Sequence, residues 1–259
     1  MNLNDLSTQL LFTTVPIWVR TANGQSSATA FIYNVPVPGD STRSVPLLVT
    51  NHHVVDGALE AVVELVERSG DAPNMQQRVR AQIPPDVLLA HVDKSLDIAV
   101  IPLGGLLNQL DSNGRPVFFR SVAPELVPSS DTLSDFAAVE EIVFIGYPSG
   151  LRDEKNSTPL IRRGITASPV WNDFGGEPVF LVDAGVYPGS SGSPVFILNQ
   201  GSYQTKDALV VGSRLVFLGM ITSTMMRSEG GTNAYLGLGR VVKAAAIKRA
   251  IDGVVARLL

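Results

Sequence analysis

Apolar residues come mostly in short runs rich in Val, Ile and aromatic side chains, separated by clusters of Gly, Pro, Asn and Asp. That pattern predicts strands joined by turns, and hence an all-β chain. Residues 15–20 and 28–33 form two such runs, with Asn23-Gly24 between them as a tight-turn signal. Residues 47–50 begin directly after Pro46, which a strand tolerates at its start. Residues 58–66 and 77–83 flank the loop 67–75 and predict an extended hairpin, while 98–103 is mostly apolar, as in a strand buried on both faces. A polar, Pro-containing stretch from about 104 to 134 predicts a crossover. Beyond it the style repeats, without sequence repetition, at 141–145, 160–167, 178–182, 192–197 and 208–223; Gly230, Gly231 and Asn233 then mark a turn before 235–238.

The exception is the C-terminus. Ile247, Ala250, Ile251, Val254, Val255 and Leu258 recur at helical spacing, with Lys243, Lys248, Arg249 and Arg257 off that stripe. They predict an amphipathic helix of about 15 residues that covers the β structure, its basic end suiting the negative pole of the helix dipole. The expected layout is one domain over 1–259, with β halves at roughly 10–104 and 135–240 and a helix at 241–259.

Composition narrows the function classes. Of the 259 residues, 45% are hydrophobic and 17% charged, which fits a globular protein with a sizeable core. The net charge of −4 and the scattered Lys and Arg argue against a nucleic-acid partner. Without cysteine the chain has no disulfide and no thiol nucleophile. The start, Met1-Asn2-Leu3-Asn4-Asp5, lacks the features of a secretory signal, and apolar runs such as 215–218 are too short to span a bilayer. These features set the expectation of a cytoplasmic protein without a membrane partner.

Three segments carry candidate chemistry. In Tyr187-Pro188-Gly189-Ser190-Ser191-Gly192-Ser193-Pro194, Ser191 sits on a small-residue loop where glycines permit a sharp turn. With Ser191 as nucleophile, the backbone N–H groups of Gly189 and Ser191 can point at one developing oxyanion. In Thr50-Asn51-His52-His53-Val54, a His pair stands at the end of an apolar strand, a rigid seat for a general base. In Leu96-Asp97-Ile98-Ala99-Val100, Asp97 heads a buried strand, where a carboxylate needs a donor such as a His Nδ1–H. Each segment also has a plain structural reading, as a turn, a buried histidine and a strand cap. His91 reads as a surface residue. The order His, Asp, Ser places base and orienter in the first half and nucleophile in the second, so a cleft between two barrels would unite them.

At these residues the chain resembles the trypsin/chymotrypsin superfamily, and more closely its HtrA-like bacterial branch. Thr50-Asn51-His52-His53-Val54 is similar to that branch's Thr-Asn-x-His-Val, and Asp97-Ile98-Ala99-Val100 to its Asp-Leu-Ala-Val. Asp183-Ala184-Gly185-Val186-Tyr187-Pro188-Gly189-Ser190-Ser191-Gly192-Ser193-Pro194 resembles its Asp-Ala-x-Ile-Asn-Pro-Gly-Asn-Ser-Gly-Gly-Pro. Gly146-Tyr147-Pro148-Ser149-Gly150 matches a Gly-Asn-Pro-x-Gly turn, and Gly219-Met220-Ile221-Thr222-Ser223 the strand that binds substrate backbone. The resemblance spans roughly residues 10–255. It implies two six-stranded antiparallel barrels and a serine endopeptidase with His53, rather than His52, as base.

The departures are Ser193 where Gly is usual, Ser190 where trypsin-like zymogens carry Asp, and no PDZ-like segment after the helix. Activation by a buried new N-terminus is therefore not expected. By resemblance, the pocket floor lies near Gly185, with Thr222, Ser223 and Thr224 along one wall. None of these is acidic, so small or medium apolar residues are expected before the scissile bond; Asp183 is read as capping the loop. The expected partner is a protein or peptide substrate, and no cofactor or metal is called for. A latent binding module switched on by a partner, an esterase using the same residues, and oligomer formation stay open.

Overall fold

The computed structural model describes residues 1–89, 91–229 and 232–259. The expected turn residues Gly230 and Gly231 lie outside the described residues, while Asn233 falls inside a strand. The first half contains β1 Thr14–Thr21, β2 Gly24–Val37, β3 Asp40–Thr50, β4 Glu60–Ser69, β5 Ala72–Ile83, β6 Val92–Asp93, β7 Ile98–Pro102 and β8 Val117–Phe118. The second contains β9 Glu141–Gly146, β10 Leu160–Thr166, β11 Val179–Asp183, β12 Pro194–Asn199, β13 Ser202–Gln204, β14 Leu209–Val211, β15 Arg214–Glu229 and β16 Thr232–Lys243. Among the described residues six α-helices punctuate them: α1 Leu6–Leu10, α2 His52–Val55, α3 Pro85–Leu89, α4 Gly104–Ser112, α5 Ser130–Ser134 and α6 Ala244–Leu258.

Strands β9, β10, β11, β12, β15 and β16 close into a six-stranded antiparallel barrel, in the order β10-β11-β16-β15-β12-β9. The first half is an eight-stranded sheet of order β5-β4-β1-β2-β3-β7-β6, with β8 paired to β4. The strand pairing therefore shows one of the two expected closed barrels; among the described residues no pairing joins β5 and β6, the two ends of the first-half path. The chain itself supplies a reason. Pro84 and Pro85 follow β5 directly, have no N–H to offer a ladder, and open α3 instead, while β6 is only two residues long.

Other boundaries shift for local reasons. The expected loop at 67–75 tightens to Gly70-Asp71, because β4 and β5 keep pairing through Ser69 and Ala72. The stretch 104–134, read from sequence as a polar crossover, holds α4, β8 and α5. Two glycines at its start hide α4, which fully buries only Leu110. The expected strand 208–223 divides at Gly212, leaving the small β13–β14 hairpin beside the long β15.

Helix α6 appears with the anticipated 15 residues. Its apolar stripe does more than cover one barrel. Ile247, Ile251 and Val254 share a cluster with Phe31, Leu47, Ile98 and Val100 of the first sheet and with Phe196, Phe217 and Met220 of the barrel. The helix thus fills the seam between the halves, and its burial ties their relative placement to the hydrophobic effect. Phe217 is central: fully buried, its ring lies 5.4 Å from Phe31 and 5.6 Å from Phe196. No helix among the described residues is long and apolar enough to cross a membrane.

Phe217→Ala is expected to lower the free energy of unfolding by about 3–5 kcal/mol, the usual range for emptying a packed aromatic site. Chemical denaturation checks this. A change confined to a few tenths of a kcal/mol would show that the seam is not packed as described.

Candidate active site

The cleft between sheet and barrel is built from one-turn and loop features. After β3 the chain does not continue extended. Asn51 caps α2, whose single turn carries His52 and His53. The two rings part company there. His52 turns away, its Nε2 lying 3.5 Å from Asp56, while the half-exposed His53 faces the cleft.

Asp97 comes from the turn before β7 and holds φ +57°. Non-glycine residues rarely adopt that left-handed conformation, although Asp and Asn tolerate it best. It lets one residue hold the start of α2 through both its carbonyl and its carboxylate. The Asp97 carbonyl accepts from the His52 N–H at 3.1 Å and from Asn51 Nδ2 at 3.1 Å. The Asp97 carboxylate accepts from the His53 N–H at 2.9 Å and from His53 Nδ1 at 2.8 Å. With the Nδ1 proton so committed, Nε2 is free to accept a proton, and it lies 3.2 Å from Ser191 Oγ. The three candidate residues, 44 and 138 positions apart as pairs with His53, therefore form one hydrogen-bonded chain.

Thr222, expected on the pocket wall, is turned elsewhere. Its Oγ1 donates to Asp97 Oδ2 at 2.5 Å, and its carbonyl lies 3.3 Å from Ser191 Oγ. Thr224 Oγ1 donates to the Leu238 carbonyl, and Ser223 faces the other side of β15, exposed. The Thr222 bond also bears on charge. Burial, the largest single influence on the Asp97 carboxyl, raises its pKa. Hydrogen bonds from His53 Nδ1, Thr222 and the His53 N–H, with the His53 charge, together outweigh burial and hold it below the usual carboxylate range.

The nucleophile loop is fixed from outside. Gly192 has φ +86°, and a Cβ there would stand 1.8 Å from the Thr29 carbonyl. Only glycine allows the loop to lie this close to β2. Gly189 has φ +85° and sits against the Ser149 N–H, which donates to the Pro188 carbonyl at 2.6 Å. Among the described residues the N–H groups of Gly189 and Ser191 donate to no protein acceptor. They remain available for an oxyanion beside Ser191 Oγ.

Thr29 was not singled out by the sequence, yet it organises this loop. It is fully buried; its N–H donates to the Ser191 carbonyl at 2.9 Å and its Oγ1 to the Gly189 carbonyl at 3.1 Å. The same Oγ1 accepts from the Tyr147 N–H at 2.9 Å and from Ser193 Oγ at 3.3 Å. The only signal was a polar residue between Ala28 and Ala30 in a run otherwise apolar. Ser193, where the resembling family has Gly, is accommodated because Gly146 faces it: a Cβ on Gly146 would meet Ser193 Oγ at 2.1 Å. Ser190 is buried and offers a hydroxyl to the Tyr187 N–H. Gly185 lies against Arg162 and Tyr187, and the exposed Asp183 makes no ion pair among the described residues. His91 is not a free surface group; it is partly buried and accepts from Arg257 of α6 at 3.1 Å.

Comparison with known proteins gives the family and the fold. A model of the trypsin-like peptidase domain matches residues 28–203, well over half the chain. The chain belongs to the trypsin-like peptidases. No curated protein matches this peptidase by sequence. Among solved structures, the HtrA-type protease AlgW with a tripeptide superposes with a TM-score of 0.56 at 17% identity, covering 98% of this chain and 64% of that one. A serine endoprotease from Yersinia pestis gives 0.51 at 17% identity, covering 98% and 66%. The MamO protease domain from Magnetospirillum magneticum gives 0.50 at 14% identity, covering 94% and 98%. These likenesses concern the fold, and the peptidase spans about two-thirds of the AlgW chain.

Two outcomes test the geometry. Thr29→Val keeps the shape but strands the Tyr147 N–H and Ser193 Oγ, so it should lower stability by about 1–3 kcal/mol in denaturant titration. The depressed Asp97 pKa carries a sign: its folded value lies below the unfolded one, so its contribution is present above about pH 4 and fades as pH falls through the folded pKa. Melting temperatures of wild type and Asp97→Asn should therefore converge as pH drops from 6 to 3. A gap that stays constant with pH would contradict the assignment.

Proposed function

We propose that this peptidase is a serine endopeptidase. One observation carries the reading: the hydrogen-bonded chain Asp97–His53–Ser191 ends beside two backbone N–H groups without a protein acceptor. In this reading Ser191 Oγ attacks a peptide carbonyl while His53 Nε2 takes its proton. Asp97 holds the imidazole tautomer and stabilises the imidazolium, and the N–H groups of Gly189 and Ser191 receive the oxyanion. His53 then passes the proton to the leaving amine, the acyl-enzyme forms, and water releases it.

The surroundings support an extended peptide as substrate. Strand β15 pairs with β12 only as far as Met220, opposite Pro194. The Gly192 and Ser193 backbone occupies Ile221, and beyond it β15 has no strand on that side among the described residues. Such an edge beside a nucleophile can bind a substrate segment by main-chain hydrogen bonds. AlgW, whose fold this chain shares, was solved with a tripeptide.

Incubation with an unstructured protein should yield cleavage that Ser191→Ala abolishes to a residual of roughly 10³–10⁴ over the uncatalysed rate. A fluorophosphonate probe should label wild type and not Ser191→Ala. Cleavage of small esters without cleavage of peptides would favour the esterase reading. Labelling that appears only after a partner protein is added would favour the latent one. Undiminished peptide cleavage by Ser191→Ala would refute the assignment.

A further inference from the structure

Against the segment that leads into the Ser191 loop lies a charge that nothing in the local sequence announces. Strand β10 alternates: Ile161, Arg163 and Ile165 are exposed, while Leu160, Arg162, Gly164 and Thr166 take the other face and are partly or fully buried. The two adjacent arginines are treated differently. Arg163, on the outer face, pairs with Glu141 at 2.5 Å. The Arg162 guanidinium has no hydrogen bond and no ion pair with any described residue. It lies instead 5.8 Å from the Phe144 ring centroid and 5.1 Å from that of Tyr187.

This guanidinium reaches the nucleophile loop because position 185 has no side chain. A Cβ on Gly185 would stand 2.9 Å from Arg162 Nη2 and 3.2–3.3 Å from the Tyr187 ring and hydroxyl. The segment that leads from Gly185 to Ser191 is held on its far side by β16. The Ala184 N–H donates to the Gly237 carbonyl, and Val186 packs on Gly239. A side chain that enters beside Ser191 and runs down this loop therefore ends at Gly185 and Arg162. The nearest acidic residue in sequence, Asp183, forms no ion pair with Arg162. Ring faces attract a guanidinium but leave its five N–H donors unspent. A partly desolvated guanidinium with free donors is suited to a carboxylate, which it can take bidentately.

We propose that Arg162 determines specificity at the Ser191 site, by pairing with the carboxylate of a Glu or Asp side chain immediately before the scissile bond. This inference rests on the reading of Ser191 as nucleophile, and it replaces the apolar preference that Gly185 and Thr222–Thr224 alone would suggest. Tyr187, exposed at the rim, would stack along the bound side chain and keep water from the pair.

The test separates recognition from catalysis. Full-length Ser191→Ala cannot turn over, so binding of labelled peptides that differ only in a final Glu, Gln or Val can be followed by fluorescence anisotropy. The Glu peptide should bind about ten- to hundredfold more tightly than the Gln peptide, the range expected for a hydrogen bond to a charged group. Arg162→Gln in the same background should erase that difference, and Arg162→Lys should retain part of it. Equal affinity for Glu and Gln peptides, or no measurable binding of the Glu peptide, overturns the proposal without needing any Arg162 variant. Fluorophosphonate labelling of wild type reports separately on Ser191. Wild-type labelling no greater than that of Ser191→Ala, with and without added partner protein, would refute the nucleophile, while the Glu–Gln comparison would still decide what Arg162 recognises.

Discussion

The candidate site depends on one threonine that belongs to the opposite half of the molecule. Thr29, on β2 of the first sheet, binds the nucleophile loop of the barrel through its N–H to the Ser191 carbonyl and through its hydroxyl to the Gly189 carbonyl. Its own carbonyl accepts from Thr50 Oγ1, in the strand that leads directly to His53. The residue that aims the Ser191 loop is thus hydrogen-bonded to the segment that delivers the imidazole. Both are registered to the same backbone. In a buried setting each of these bonds is hard to give up, because the released partners would find no water.

That register requires the halves to stay fixed, and three features see to it. Helix α6 inserts its apolar stripe where the two sheets meet, so separating them would expose Ile247, Ile251 and Val254 along with Phe31 and Phe217. Tyr147, on the turn after β9, reaches the Thr14 carbonyl with its hydroxyl while its N–H holds Thr29. Farther out, buried Glu64 of β4 pairs with both Arg80 and Arg152, the latter from the second half. An apolar seam supplies the bulk of the attraction, and the polar links set the alignment.

Two of the three left-handed non-glycine residues among the described residues, Ser157 being the third, stand where alignment matters. Asp97 and Ser149 both occupy left-handed backbone conformations, and both contact the machinery directly: one orients His53, the other binds the Pro188 carbonyl and so fixes the direction of the Gly189 N–H on the same planar peptide. Such conformations are unfavourable by about 1–3 kcal/mol and persist only when the surroundings over-determine them. Here the surroundings do so with several hydrogen bonds apiece on a packed scaffold.

Much of this was written in local sequence. Alternating and β-branched runs gave the strands, the 3.6-residue stripe from Ile247 to Leu258 gave α6, and the small-residue loop at 187–194 marked Ser191. These features are legible because each is enforced by neighbours a few positions away, through backbone sterics and side-chain period. The His53, Asp97 and Ser191 segments were legible one by one for the same reason, each ending a strand or forming a turn. What tertiary structure alone decided was which distant groups met. Nothing near Thr29 announces that it will hold Gly189, 160 positions on. Thr222 reads as a pocket-wall residue until the Asp97 carboxylate is found against it. Arg162 and Arg163 are indistinguishable in the chain, and the inward or outward turn of β10 separates them. The strands of the first half read like those of the closed barrel, yet closure depends on whether the two ends of a sheet meet, and among the described residues only the second half shows it. Hydrogen bonds and ion pairs across the fold depend on geometry that no short window of sequence contains.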